Sequence, residues 1–279
     1  MIAPLATAPV ADIELQLLLD AVYRYSGYDF RDYAHPTIKR RIAERVRAEG
    51  VRTVSGLQER VLHDLDALDR LIYGLSVNPS SLFRDPPFFV NLRSLVIPML
   101  RTFPLVRIWV AGCSAGEEVY SLAIALDEEG LYDRCRIYAT DVSDTVVEQA
   151  KSGRLAVDSM RDATERYLEA GGRGRLSNYL TDENGTIAVV DPALRNNIIF
   201  STYNLASDSS FNEFQLIMCR GVLSHFNKSL VYRAHQVLLE SLVRFGYVGL
   251  GPKESLRYTP HERCYEEVAG TDCIYRRVR

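Results

Sequence analysis

The densest chemistry in this chain lies in VAGCSAGEE, residues 110–118. Gly112 and Gly116 permit a tight turn and a close backbone approach to a ligand. The turn follows a continuous apolar run, VRIWVAG, and opens an amphipathic one, EEVYSLAIALDEE. That is the strand–turn–helix setting in which such glycines carry a nucleotide. The Gly-Lys-Ser or Gly-Lys-Thr of a phosphate-binding loop is missing, and Glu117 and Glu118 at the helix start would repel a pyrophosphate. A ligand with little phosphate charge, such as a nucleoside, suits the turn better. Asp141 ends the next apolar run, CRIYATD. A carboxylate there can accept hydrogen bonds from both ribose hydroxyls, although it could instead merely cap the helix that follows. A nucleoside with a cationic or zwitterionic tail, bound where the strand order reverses, describes S-adenosylmethionine better than a nicotinamide dinucleotide.

The elements that must position these residues are legible in the pattern. Residues 11–76 read as a bundle of three or four helices. ELQLLLDAVYRY has apolar residues at helical spacing and is followed by Gly27; HPTIKRRIAERVRAEG puts Ile38, Ile42 and Val46 on one face. NPSSLFRDPPFF is a turn-rich connector with three prolines, and a helix beginning near Pro87 leads to Pro98. From Val106 onward strands alternate with helices: VRIWVAG, CRIYATD, NIIFSTYN, FQLIMCR and FGYVGLG read as strands, and DTVVEQAKSG and KSLVYRAHQVLLESLV as helices. The pattern predicts a doubly wound α/β fold with a parallel sheet. Between roughly 166 and 192 the alternation breaks at Gly clusters and an Asn184-Gly185 turn signal, which predicts an inserted hairpin or small β subdomain.

Composition excludes several classes. The chain has 279 residues, 47% of them hydrophobic, long enough to bury a core without disulfides or metals. Lys plus Arg number 33 against 36 Asp plus Glu, a net charge of −3, so bulk charge argues against nucleic acid as the partner. No apolar run approaches the roughly 20 residues that span a bilayer. MIAPLATAPVADIE reads as an ordinary start without a basic leader. The five cysteines are odd in number and form no CxxC pair; small buried thiols in a reducing cytoplasm are expected. No clustered ligands for zinc appear, so no metal is expected.

With these residues in place, the chain resembles the CheR family of chemotaxis-receptor glutamate methyltransferases. Four segments carry the likeness: NPSSLFRDPPFF (78–89), RIWVAGCSAGEEVYSLAIAL (107–126), IYATDVS (137–143), and Asn204-Leu205 with FQLIMCRGVLSHF (214–226). The resemblance implies a Rossmann-like class I S-adenosylmethionine-dependent methyltransferase domain at 99–279 with an inserted β subdomain. Ahead of it would lie a connector at 77–98 that contributes to the cofactor pocket and an all-α domain at 1–76. It implies cofactor contacts at Asn78, Ser80, Arg84, Glu118, Asp141, Asn204, Leu205 and Arg220, in addition to Gly112 and Gly116. Arg84 would pair with the methionine carboxylate of the cofactor, Glu118 would hold its amino group, and Asn204 and Leu205 would border the adenine. The reaction needs few catalytic groups, because a glutamate carboxylate is already ionised at neutral pH.

The departures from the family cluster at the acceptor end. The family's Arg-Asn-Val-x-Ile-Tyr-Phe stands here as Arg220-Gly221-Val222-Leu223-Ser224-His225-Phe226, and its Gly-His-Ser-Glu turn as Gly251-Pro252-Lys253-Glu254. Arg220 and His225 are the catalytic candidates, with Gly221 beside the cofactor. His225 is either a structural residue or a donor, orienter or base in the acceptor pocket. Lys253 is either solvated or paired with an acidic acceptor. On the basic helix, Lys39, Arg41 and Arg45 are expected to face an acidic helical protein, such as the cytoplasmic region of a chemoreceptor, while Ile38, Ile42 and Val46 pack inward. Three functions follow: methyl ester formation on chemoreceptor glutamates, methylation of another acceptor, or a non-catalytic module that binds S-adenosylmethionine or its product S-adenosylhomocysteine.

Overall fold

A computed structural model describes residues 9–76, 80–268, 270–271 and 273–279. The chain divides into two compact units: one holds the helices up to Ser76 together with His225–Leu230, the other Val77–Ser224 with Val231–Arg279.

Four helices build the first unit: α1 (Val10–Ser26), α2 (His35–Ala48), α3 (Val54–His63) and α4 (Leu65–Ser76). The apolar spacing read from the sequence is what they bury. Leu15, Leu18, Leu19 and Val22 form the inner stripe of α1, and Leu68, Leu71, Ile72 and Leu75 that of α4. Gly27 ends α1 in the left-handed conformation, with φ 80°, and Thr53 caps α3 by accepting from Gly56 N at 3.0 Å.

The basic helix departs from expectation at one of its named cations. Arg41 does not face outward: it is 7% exposed, and its Nη1 donates to the backbone carbonyl of Leu75. Leu75 lies in the last turn of α4, where carbonyls lack helical partners and a cation is favoured. Arg45 is turned toward Glu49, 3.3 Å away, a buried carboxylate that Arg60 and Arg70 also reach. Hydrogen bonding from Arg70 holds the Glu49 carboxyl below its ordinary range. Lys39 is paired with Asp12 and remains half exposed. The outward face of α2 is instead carried by Lys39, Arg40 and Arg47.

The second unit opens with α5 (Pro86–Asn91), which widens into a π turn at Leu92–Val96 and continues as α6 (Ile97–Leu100). Its strands are β1 (Val106–Ala111), β2 (Cys135–Asp141), β3 (Arg154–Ala156), β4 (Leu180–Asp182), β5 (Ile187–Val190), β6 (Ile198–Thr202), β7 (Phe214–Cys219), β8 (Leu242–Leu250), β9 (Tyr265–Glu267) and β10 (Ile274–Arg277). The remaining helices are α7 (Glu117–Glu128), α8 (Asp144–Ser152), α9 (Met160–Glu169) and α10 (Lys228–Ser241). Seven strands make the main sheet in the order β6-β2-β1-β7-β8-β10-β9. The first five run parallel, as their continuous apolar sequences predict. The last two are antiparallel, a short edge that the apolar pattern does not announce.

A separate three-stranded sheet, β3-β5-β4, is the small β subdomain. It reaches beyond the expected 166–192, because its edge strand β3 comes from Arg154–Ala156, directly after α8. Three residues are too few to show a period of two, so that strand is invisible locally.

Candidate active site

Strand order fixes where a ligand belongs. From β1 the chain builds outward through β2 and β6 on one side, and β7 and β8 lie on the other. The crevice at the carboxyl ends of β1 and β7 is the switch point of such a sheet. Parallel register sets Ala111 opposite Thr140, so the Gly112 turn leaves β1 beside Asp141. Both Gly112 N and Cys113 N donate to Thr140 O at 2.8 Å.

Asp141 is 8% exposed, and its carboxylate accepts from Ser114 N at 3.0 Å and Val142 N at 2.8 Å. It thereby holds Ser114 at a positive φ of 49° within the glycine turn. It is not the cap of the following helix, because Ser143 takes that place. Burial pushes the Asp141 carboxyl above its ordinary range, and the Ser114 N–H pulls against that shift. The two glycines serve the protein before any ligand. A Cβ on Gly112 would stand 2.3 Å from Val222 Cγ2, and one on Gly116 would press on Tyr120 and Ala150 at 3.0–3.3 Å. Gly112 thus lets the loop after β7 close on the end of β1, and Gly116 lets α7 start close against α8.

Glu118 and Arg220 form the centre of a charge cluster. Arg220 Nη1 lies 2.9 Å from Glu118 Oε2 and Nη2 lies 2.8 Å from Asp85 Oδ2. The guanidinium also stacks over the Phe88 ring at 4.0 Å, and the Arg220 side chain is only 3% exposed. Desolvation raises the Glu118 carboxyl and Arg220 opposes the rise. Phe88 reaches this place because Gly249 on β8 has no side chain; a Cβ there would meet its ring at 2.6 Å. Arg84 sits between Phe83 and Asp85, both at positive φ (52° and 56°), a strained turn secured by Phe83 N donating to Ser121 Oγ at 2.8 Å. The Arg84 side chain is 44% exposed, and a Cβ on Gly221 would touch only its Nη1, at 3.6 Å.

The other expected residues fall as follows. Ser80 is half-buried ahead of this turn, and Asn78 lies outside the described residues. Leu205 is buried, and Asn204 Oδ1 accepts from Ala206 N at 2.9 Å, shaping the loop after β6. His225 belongs to the helical unit, where its carbonyl accepts from Ala34 N. Lys253 is exposed. One buried residue escaped the sequence reading: Glu254, whose carboxylate accepts from Gly221, Ser224 and Gly251 backbone N–H groups. Two signals could have found it: it is an acid two residues after a proline in a polar turn, and it keeps the glutamate of the Gly-His-Ser-Glu turn that the sequence otherwise departs from.

The donor set fits S-adenosylmethionine. A buried acid at the end of β2 suits ribose hydroxyls, an acid bridged to arginine suits an ammonium, and an exposed arginine suits a carboxylate. Bound there, the cofactor supplies an electrophilic methyl group on a sulfonium. A parallel sheet with an acid at the end of β2 and such a pair at its switch point defines the class: an S-adenosylmethionine-dependent methyltransferase.

The chain belongs to the CheR methyltransferase family. The family's SAM-binding domain matches residues 78–272 and its all-alpha domain matches residues 13–76. The Cher3 protein of Pseudomonas putida is 45% identical over 266 residues, which cover 95% of this chain and 97% of that one. A chemotaxis protein methyltransferase of Listeria monocytogenes is 29% identical over 84% of this chain and 87% of its own length. Chemotaxis protein methyltransferase 1 of Pseudomonas aeruginosa is 28% identical, over 80% and 83%. Among the described residues no helix is long and apolar enough to cross a membrane.

Proposed function

We infer that this methyltransferase forms methyl esters on glutamate side chains of a chemoreceptor-like protein in the cytoplasm. The observation that carries this reading is the kind of group the site gathers: hydrogen-bonded carboxyls, an arginine and buried thiols. Glu118 is bridged to Arg220 and the Asp141 carboxylate accepts from two backbone N–H groups, so both are engaged within the protein rather than poised to strip a hydroxyl or an ammonium. Cys113 and Cys219 are buried thiols whose ionisation burial pushes far up. An acceptor that is already anionic at neutral pH needs none of them. Its rate then depends on being held in line with the methyl group and stripped of water. In this reading Asp141 takes the ribose, Glu118 the ammonium and Arg84 the methionine carboxylate, with Gly112 and Gly116 shaping the turn. Ser80, Asn204, Leu205 and Gly221 line the remainder. Arg220, walled in by Glu118, Asp85 and Phe88, orients the two acids rather than touching the acceptor. The relatives named for chemotaxis support the choice of acceptor, and the exposed Lys39, Arg40 and Arg47 face of α2 suits an acidic helix.

The test is methyl transfer from methyl-labelled S-adenosylmethionine to the cytoplasmic fragment of a chemoreceptor, followed by base. Label released as volatile methanol is the expected result; base-stable label, or none on the protein, overturns the reading. His225, where the family has tyrosine, favours a second reading in which a base serves a hydroxyl or amine acceptor. His225→Tyr separates the two: receptor methylation is retained or improved under the first and the native activity is abolished under the second.

A further inference from the structure

Glu254 belongs to no role assigned so far. It ends the turn that begins at Gly251, immediately after β8, and is 7% exposed. Its Oε2 accepts from Gly221 N at 2.9 Å and from Gly251 N at 2.8 Å, and its Oε1 accepts from Ser224 N at 3.0 Å. The turn is drawn tight around this carboxylate: Glu254 N donates to Gly251 O at 2.9 Å, and a Cβ on Gly251 would stand 2.8 Å from Oε2 and 2.9 Å from Gly221 N. A buried carboxylate bound by three main-chain donors is costly to desolvate and is stabilised by charge-assisted hydrogen bonds. It holds main chain, not a ligand.

Two of the three donors lie in the segment that follows Arg220. That segment is therefore pinned twice, by the Arg220 guanidinium on Glu118 and Asp85 and by Glu254 on the backbone of Gly221 and Ser224. Gly221 sits at φ 75°, and Val222 rests against Gly112. From the other side, the backbone of the next residue, Ser255, meets the buried His235 imidazole of α10. Burial lowers that imidazole to about 4, so it is a neutral buttress.

We propose that Glu254 is a positioning residue for methyl transfer: by binding the Gly221 and Ser224 amides it presets the loop that borders the acceptor. This rests on the reading that residues 221–224 border the acceptor. Positioning within about 0.5 Å is what such a loop must supply, because small misplacements cost rate while leaving binding intact.

Glu254→Gln is the sharp test, since it keeps the shape and turns one oxygen into an NH2 group that faces a backbone N–H. Amide hydrogen exchange over 220–224 is expected to quicken about tenfold or more as those donors lose their acceptor. Affinity for S-adenosylhomocysteine should stay within about twofold, with kcat lowered about tenfold or more on whichever acceptor takes the label. Glu254→Asp, which keeps a charged acceptor on a shorter stem, should fall between wild type and Glu254→Gln, and it carries the test if Glu254→Gln does not fold. Unchanged exchange overturns the proposal. So does faster exchange with unchanged kcat, or a loss of rate matched by an equal loss of product affinity. Exchange and product affinity need no acceptor, so base-stable label would overturn the glutamate reading and leave this result standing.

Discussion

A Cβ added to Gly112 would stand 2.3 Å from Cγ2 of Val222, although one residue ends β1 and the other follows β7. The two strands are neighbours in the sheet, and their loops meet over the switch point. Gly112 also holds φ 78°, a conformation costly for any residue with a side chain. Gly112→Ala is expected to destabilise the sheet unit by about 1–3 kcal/mol and to weaken S-adenosylhomocysteine binding about tenfold or more. Thermal unfolding and calorimetric titration measure both. Val222→Ala added to it should recover part of the loss, because it removes the clash but not the backbone strain.

Arg220 and Glu118 are coupled in the same way across the sheet. Arg220→Met strands a buried carboxylate without its cation, at a cost of about 3–5 kcal/mol. Glu118→Gln leaves Arg220 its second partner, Asp85, 2.8 Å away, and should cost less. The double variant should be more stable than Arg220→Met alone, which denaturant titration of the four proteins tests.

Acid should loosen the cofactor and tighten the apo fold at the same sites. Burial holds the Glu118 and Asp141 carboxyls above their ordinary values of 4.5 and 3.8. Their folded forms therefore take up protons more readily than the unfolded chain. The stability they contribute is fully present below the ordinary values and is lost as pH rises through the raised ones. Ribose and ammonium recognition need the ionised forms, so S-adenosylhomocysteine affinity should already fall above pH 4.5 on acidification. Asp141→Asn should weaken binding at neutral pH and flatten its share of that dependence. A pH-independent affinity would contradict the assignment.

The cations of α2 divide into buried and exposed. Arg41→Met should change thermal stability, because it removes the donor to Leu75 O, and leave the acceptor KM unaltered. Arg40→Glu with Arg47→Glu should raise the acceptor KM several-fold, more at low than at high salt, and leave stability within about 0.5 kcal/mol. Equal KM for wild type and this double variant would exclude that face as the docking surface.

Much of this was readable along the chain. The helical stripes of α1 and α4, the five parallel strands and the pairing of a glycine turn with Asp141 all follow from local periodicity and residue type. Even Arg41 left a signal: it lies three residues after Ile38 and next to Ile42, on the apolar stripe. Its charge argued for solvent, and only the open carbonyls at the end of α4 explain why it points inward.

The sequence by itself determined the longer helices, the five parallel strands, the cofactor class and the family, because these depend on spacings of a few residues; the short strands β3, β9 and β10 it did not. Tertiary structure alone decided which residues meet. Glu118 finds Arg220, Gly112 finds Val222, and Glu254 takes the amides of Gly221 and Ser224 because strand order lays the ends of β1, β7 and β8 side by side. His225 joins the helical unit for the same kind of reason, a chain return of nearly two hundred residues that brings Phe226 against Tyr33 at 5.0 Å. Periodicity reports the face of an element that is buried; it carries no record of what that face is buried against.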